Sequence, residues 1–368
     1  MIRRKCLAIL SMLIFSFAMA SEGIAGRKEN VKVIANKVAE WQIANFGDNT
    51  YVRYDRHPLH WANGALYRGM LEWAQKTGFE PAEKFVYDIG KKMDWRMAKR
   101  MYHADDICVG QSFLMLYDKY KDEAMLKPVK ERADSVIEFR SDADLNFETK
   151  RALDRWSWCD ALFMAPPVYA ELSRITGDRK YLDFMEEEFL SSTNYLFDNI
   201  QNLYFRDSRF FGQKEENGAD VFWGRGNGWC YAGLTFLLET VPVTDPMYAY
   251  FKSLYLKMTE AVLATQDENG SWHASLLAPL QYSSPENSAS GFMTYGLAWG
   301  VNHGILKGKT YRKAALKGWN ALCSYVSEDG KLQYVQLVAG SPEKIEKDMT
   351  EVYGVGAFLL AASEIIDF

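Results

Sequence analysis

Apolar residues recur at i, i+3, i+4 and i+7 through most of the chain, while alternating β-branched runs are scarce. That pattern predicts helices and few strands. Two kinds of helix alternate. Segments 30–45, 82–93, 123–139, 179–196, 246–264 and 309–325 are amphipathic with one charged face, which predicts helices turned to solvent on one side. Segments 61–76, 106–119, 160–175, 227–239, 290–306 and 352–366 are apolar nearly all round and rich in Gly, Ala and aromatic residues, which predicts helices buried on every side. The buried type recurs 45 to 67 residues apart, as repeated helical hairpins do. Six hairpins closed into a ring give an all-α (α/α)6 toroid. Gly64, Gly69, Gly110, Gly233, Gly296, Gly300 and Gly356 would let the inner helices approach closely. No Pro-, Gly- or Ser-rich linker divides residues 21–368, so a single domain is expected, with its cleft at the N-terminal ends of the inner helices.

The first twenty residues stand outside this pattern. Arg3-Arg4-Lys5 precedes an apolar run from Leu7 to Phe17 and then Ala18-Met19-Ala20, a small-x-small cleavage signal. Residues 1–20 are therefore expected to be a signal peptide, with the mature chain starting near Ser21. No cysteine follows the cleavage site as a lipoprotein would need, and no later run of about 18 apolar residues offers a membrane span. An exported protein follows, in a periplasm or outside the cell. The 43 Lys and Arg less the three in the leader leave 40 against 48 Asp and Glu, a net charge of −8 that argues against nucleic acid as a partner. Cys108, Cys159, Cys230 and Cys323 remain; three of the four sit in apolar helical runs without CxxC spacing, which favours buried thiols over disulfides. Aromatics make up 14% of the chain, with 11 Trp and 21 Tyr, enough to fill a core and still stack on sugar rings.

The starts of the inner helices carry the candidate chemistry. Asp160 lies between Trp158 and the run Ala161-Leu162-Phe163-Met164, surroundings that raise a carboxyl pKa and suit a general acid. The alternative is a helix N-cap, a reading that Pro166-Pro167 complicates by offering a later helix start. Of Asp105 and Asp106 one is a cap or solvated residue, since both cannot cap, and His103 is either a sugar-binding imidazole or a structural one. In Trp223-Gly224-Arg225-Gly226-Asn227-Gly228-Trp229 no strand precedes the glycines and the spacing is not that of a nucleotide loop. A tight turn exposing Arg225 and Asn227 beside Trp229 is the better reading, with Arg225 either clamping a substrate carboxylate or paired with an acidic side chain inside the barrel. HExxH, CxxC, Walker and GxSxG sequences are absent, and His57, His60, His103, His273 and His303 lack ligand spacing, so neither a metal nor a cofactor is expected.

The pairing of Trp-Cys-Asp-Ala-Leu-Phe-Met-Ala-Pro-Pro (158–167) with Arg-Gly-Asn-Gly-Trp (225–229) resembles the unsaturated rhamnogalacturonyl hydrolases, glycoside hydrolase family 105, relatives of the unsaturated glucuronyl hydrolases of family 88. The likeness runs from His60-Trp61-Ala62-Asn63-Gly64-Ala65 through His103-Ala104-Asp105-Asp106 to Glu351-Val352-Tyr353-Gly354-Val355-Gly356. The resemblance implies an (α/α)6 fold and an oligosaccharide substrate. It makes Asp160 the catalytic acid/base, one of Asp105 and Asp106 a second active-site carboxylate with Asp106 preferred, and Arg225 and Trp229 part of the uronate pocket, where Trp61, Trp158, His103 and Asn227 are also expected. One departure stands out: where many members carry Tyr-His-x-x-Asp, this chain has Tyr204-Phe205-Arg206-Asp207-Ser208-Arg209. The implied reaction hydrates the C4=C5 bond of a 4,5-unsaturated uronic acid at the non-reducing end, so the carboxylate spacing of ordinary glycosidases does not apply. The competing readings are an inverting glycanase using Asp106 and Asp160, a sugar epimerase, which would need inner-helix histidines, and a non-catalytic glycan-binding protein.

Overall fold

The computed structural model describes residues 24–47 and 57–368; the expected signal peptide lies outside them. Outer helices α1 (Ile24–Ala44), α3 (Glu80–Lys92), α5 (Glu123–Glu138), α8 (Lys180–Leu196), α10 (Pro246–Ala264) and α12 (Lys309–Ser324) alternate with inner ones. The inner set is α2 (Trp61–Thr77), α4 (Gly110–Tyr120), the pair α6 (Ala161–Met164) and α7 (Pro166–Thr176), α9 (Gly224–Thr240), α11 (Asn287–Asn302) and α13 (Val352–Ile365). Each inner helix packs on the next, and α13 returns to α2, so the ring closes. This is the alternation that the hydrophobic pattern predicts.

Local chemistry sets the ends. In α3, Pro81 sits in the first turn with Glu80 and Glu83, and Lys91 and Lys92 occupy the last, each charge placed against the helix dipole. The His60 side chain caps α2 by accepting from the Ala62 N–H, and Gly78 ends it in the left-handed conformation at φ 75°. Four inner helices depart from the expected bounds, the fifth by running from Asn287 to Asn302 instead of 290–306. The second opens with a 3-10 turn at Ala104–Ile107. The third is two helices, because Pro166 lacks an N–H and crowds the residue before it, leaving Ala165 at φ −101°. The fourth starts three residues early, at Gly224. Two short strands, β1 (Phe197–Asp198) and β2 (Leu203–Tyr204), form a hairpin between α8 and α9.

The ring is sealed where its first and last inner helices meet. A Cβ on Gly69 would lie 2.3 Å from the carbonyl oxygen of Gly356, and one on Gly356 would lie 2.3 Å from that of Ala65. Both obstacles are backbone, so a methyl group there must push two helices apart. Gly69→Ala and Gly356→Ala are each expected to lower stability by roughly 1–3 kcal/mol, the usual penalty for overpacking, measured by denaturant unfolding. An unchanged midpoint for both would show that this seam is looser than described.

Candidate active site

A cleft opens at the N-terminal ends of the inner helices, as expected. Trp61 at the start of α2, Asp105 before α4, Asp160 before α6 and Trp229 in α9 all line it. So do Trp158, Met164, Arg206 and Trp223, with Val338 and Ala339 closing one wall. Open space amounts to about 470 Å³, part of it continuous with solvent.

Asp160 stands in the N-cap position of α6 but makes no capping hydrogen bond, so the structural role that sequence left open does not occupy it. Its Oδ1 is buried without a hydrogen-bond partner among the described residues, and its Oδ2 lies 3.4 Å from Nε of Arg206. Burial pushes the carboxyl above the usual carboxylate range, against the opposing charges of Arg206 and Arg225. A carboxyl whose proton affinity is raised in a cleft suits a general acid.

The adjacent carboxylates divide their tasks. Asp106, the preferred member on resemblance, does not line the cleft: it accepts from the Arg100 backbone N–H at 2.7 Å, from Nε at 3.0 Å and from Nη2 at 2.5 Å. That clamp fixes the loop ahead of the 3-10 turn. Asp105 is the one turned into the cleft. Burial pushes it up to about 7, with the charges of Asp160 and Asp106 adding to the effect against those of Arg100 and Arg206. Which of two neighbours faces inward depends on the 3-10 turn and on Arg100, and neither is marked in the sequence. His103 caps this turn by accepting from the Asp105 N–H, and its ring centroid lies 4.8 Å from that of Trp158. Burial and the nearby Arg100 push its imidazole down to about 4, so it is neutral at pH 7.

Arg225 and Asn227 are placed otherwise than expected. Both lie inside the first turn of α9 with no solvent exposure, not on a projecting turn, and neither lines the cleft. The glycines flanking them serve close packing: a Cβ on Gly224 would fall 2.2 Å from the His273 carbonyl oxygen. Arg225 donates from Nη1 to the Gln336 carbonyl at 2.8 Å and from Nη2 to those of Leu337 at 3.2 Å and Ala339 at 3.4 Å. Its guanidinium is sandwiched between Trp223 and Tyr353, at 4.4 and 4.7 Å. Its partners are main-chain carbonyls, so both the carboxylate clamp and the buried acidic pair are replaced by an anchor for the 336–339 wall. Asn227 accepts from the Tyr204 N–H at 2.7 Å and donates to the Tyr204 carbonyl at 3.0 Å, acting as an extra rung beside β2. The chain beyond β2 is also tied to the helix start, since Trp158 pairs with Asp207 and the Cys159 N–H donates to the Arg206 carbonyl at 2.8 Å. Arg206 reaches the cleft from this strap, and its only signal in the sequence is the departure from Tyr-His-x-x-Asp.

The aromatic expectation holds in part by position. Trp61 stacks on Tyr353 at 5.5 Å and 16°. Trp229 packs on Phe163 at 4.6 Å and Phe292 at 4.3 Å, with Trp61 edge-on at 6.0 Å. Trp223, absent from the expected set, donates its indole N–H to Gln336 Oε1 at 3.0 Å while facing the cleft. The four cysteines among the described residues are free thiols. Among the described residues no group of His, Cys, Asp and Glu could hold a metal, and no helix is long and apolar enough to cross a membrane.

Comparison with known proteins agrees with this geometry. An Alteromonas sp. (strain LOR) protein named unsaturated 3S-rhamnoglycuronyl hydrolase is 36% identical over 356 residues, covering 92% of this chain and 86% of the relative. A Formosa agariphila protein of the same name is 34% identical over 364 residues, covering 94% and 93%. The solved structure of a glycosyl hydrolase family 88 protein from Bacteroides vulgatus superposes with a TM-score of 0.82 at 25% identity, covering 92% of this chain and 99% of that one. The pattern that defines Glycosyl Hydrolase Family 88 matches residues 34–368. The ring of helical hairpins is thus shared with the solved relative, the sequence matches extend over most of the two named relatives, and the chain belongs to glycosyl hydrolase family 88.

Proposed function

We propose that this enzyme removes a 4,5-unsaturated uronic acid from the non-reducing end of lyase-generated oligosaccharides, with Asp160 as acid and then base. The observation that carries the reading is the Asp160 carboxyl itself: buried, uncapped, facing the cleft and biased toward its protonated form. Protonated Asp160 gives its proton to C4 of the enol ether, and the positive charge that develops spreads over C5 and the ring oxygen. Water adds to C5 and loses a proton to the carboxylate, which restores the acid. The hemiketal so formed opens and releases the aglycone. Asp105, also protonated over part of the neutral range, is the second carboxyl and orients the water. Trp61, Trp158, Trp223 and Trp229 form the apolar walls on which sugar C–H faces stack.

The names of the Alteromonas and Formosa relatives make a rhamnose-linked unsaturated uronyl unit the first substrate to test. The assay is loss of the ultraviolet absorbance of the unsaturated uronate, run on lyase-generated ulvan, pectin, heparin and chondroitin disaccharides. Turnover of at least one is expected, and Asp160→Asn should lower kcat by about a thousandfold while leaving substrate binding within a few-fold. No absorbance loss on any of the four by folded protein would favour a conventional glycanase or a binding protein.

Asp105 gives a test by stability. Its carboxyl titrates near 4 when unfolded and at about 7 when folded, so the native state binds more protons across that window. Its contribution is complete below pH 4 and is lost as pH rises through 7. Asp105→Asn should therefore raise Tm relative to the parent by more at pH 8 than at pH 4. An equal difference at the two pH values would place Asp105 in a more solvated setting.

Export is part of the same proposal and rests on residues 1–20. N-terminal sequencing of the protein recovered from the native host should begin at or near Ser21; a mature chain that retains Met1 would refute it.

A further inference from the structure

Of the residues that line the cleft, Arg206 alone carries a positive charge. Its guanidinium is held firmly but incompletely. Nη1 donates to Asp207 at 2.5 Å, and the Phe147 ring lies 4.8 Å from Cζ. Asp207 is itself fully buried and pinned by Nε and Nη2 of Arg209, both at 2.9 Å. The other two nitrogens make no hydrogen bond among the described residues: Nε is buried and faces Asp160 Oδ2 at 3.4 Å, and Nη2 is the donor left over. A guanidinium held in place at Nη1, with Nη2 left to donate into the cleft, is matched in charge by a carboxylate. Arg225 does not line the cleft, and both its Nη atoms hold the 336–339 wall, so Arg206 is the cation within reach of a ligand there.

Resting on the reading that the substrate is an unsaturated uronide, we propose that Arg206 anchors the substrate carboxylate through Nη2 and thereby sets the C4=C5 bond against Asp160. The geometry follows from the sugar. The carboxylate is bonded to C5, next to C4, so pairing it with a guanidinium 3.4 Å from Asp160 Oδ2 brings the double bond to that oxygen. A second effect reinforces the first. Arg206 draws the proton affinity of Asp160 down, and Asp105, Arg225 and Asp207 also act on this corner. An arriving carboxylate offsets the Arg206 charge, so Asp160 holds its proton more firmly with substrate bound than without. A neutral sugar of the same shape has neither the anchor nor this electrostatic help. The stretch Tyr204–Arg209, where the chain departs from the Tyr-His-x-x-Asp pattern, thus becomes the source of selectivity for an acidic sugar.

The test crosses one substitution with one substrate change: the protein and its Arg206→Gln variant, each assayed on an unsaturated uronide and on its methyl ester. Turnover of the acid by the parent protein comes first, and its failure would count against the proposed reaction, not against Arg206. Given turnover, Arg206→Gln should lower kcat/KM on the acid by about a hundredfold, the order found when one partner of a buried charge pair is removed. On the ester the loss should be under about threefold, and Arg206→Lys should recover at least a tenth of the activity on the acid. If the parent does not turn over the ester, the same cross is read from Kd in the Asp160→Asn background. There Arg206→Gln should bind the acid no better than the parent background binds the ester. Equal losses on acid and ester, or full activity of Arg206→Gln on the acid, would overturn the proposal, the former assigning Arg206 to holding the strap.

Discussion

A helix buried on every side has no lateral face on which a polar group can rest without losing its water, and this constraint shapes the whole molecule. The inner helices meet it by carrying small and apolar residues along their length and gathering polar groups at their ends, where free backbone N–H groups and open space can accept them. The N-terminal ends then do more than tolerate polarity. Each presents the positive end of a helix dipole, so a ring of six such ends makes a mouth suited to anionic ligands before any charged side chain is counted. Carboxyl groups placed there are partly desolvated by the same packing.

Much of this was legible in the sequence because it is periodic. The alternation of amphipathic and uniformly apolar segments gave the ring of hairpins, and the polar clusters at the starts of the inner segments located the cleft. What escaped was direction. Asp105 and Asp106 are neighbours of one chemistry, and only the 3-10 turn together with Arg100 decides that Asp106 is clamped and Asp105 faces the cleft. Arg225 and Asn227 read as projecting because glycines flank them, yet those glycines permit close packing and the helix begins before them. Their partners, the carbonyls of 336–339 and the backbone of Tyr204, are distant in sequence. Spacing rules describe neighbours along the chain and are silent about such contacts.

The cleft is best understood as a small set of charges with unequal freedom. Asp106 is bound to Arg100, and Asp207 is held by two arginines. Arg225 is fixed to backbone and supplies charge from a distance. Asp160, Asp105 and the open edge of Arg206 remain, two carboxyls biased toward protonation and one cation with donors to spare. Their immobile surroundings give these three groups preorganised positions, so little reorientation is needed when charge shifts during reaction.

The seam between α2 and α13 carries a consequence for the order of assembly. Gly69 and Gly356 touch across it, and the stack of Trp61 on Tyr353 completes one side of the cleft. These partners lie nearly three hundred residues apart. The hairpins between them can form from local contacts as the chain emerges, but the ring has no finished mouth until its last inner helix docks on its first. Contacts of such long range form slowly, and until they form the carboxyls at the mouth lack the packing that desolvates them. For Asp160 that packing is what raises the proton affinity. Its special proton affinity belongs to the closed circle and arrives with the final helix.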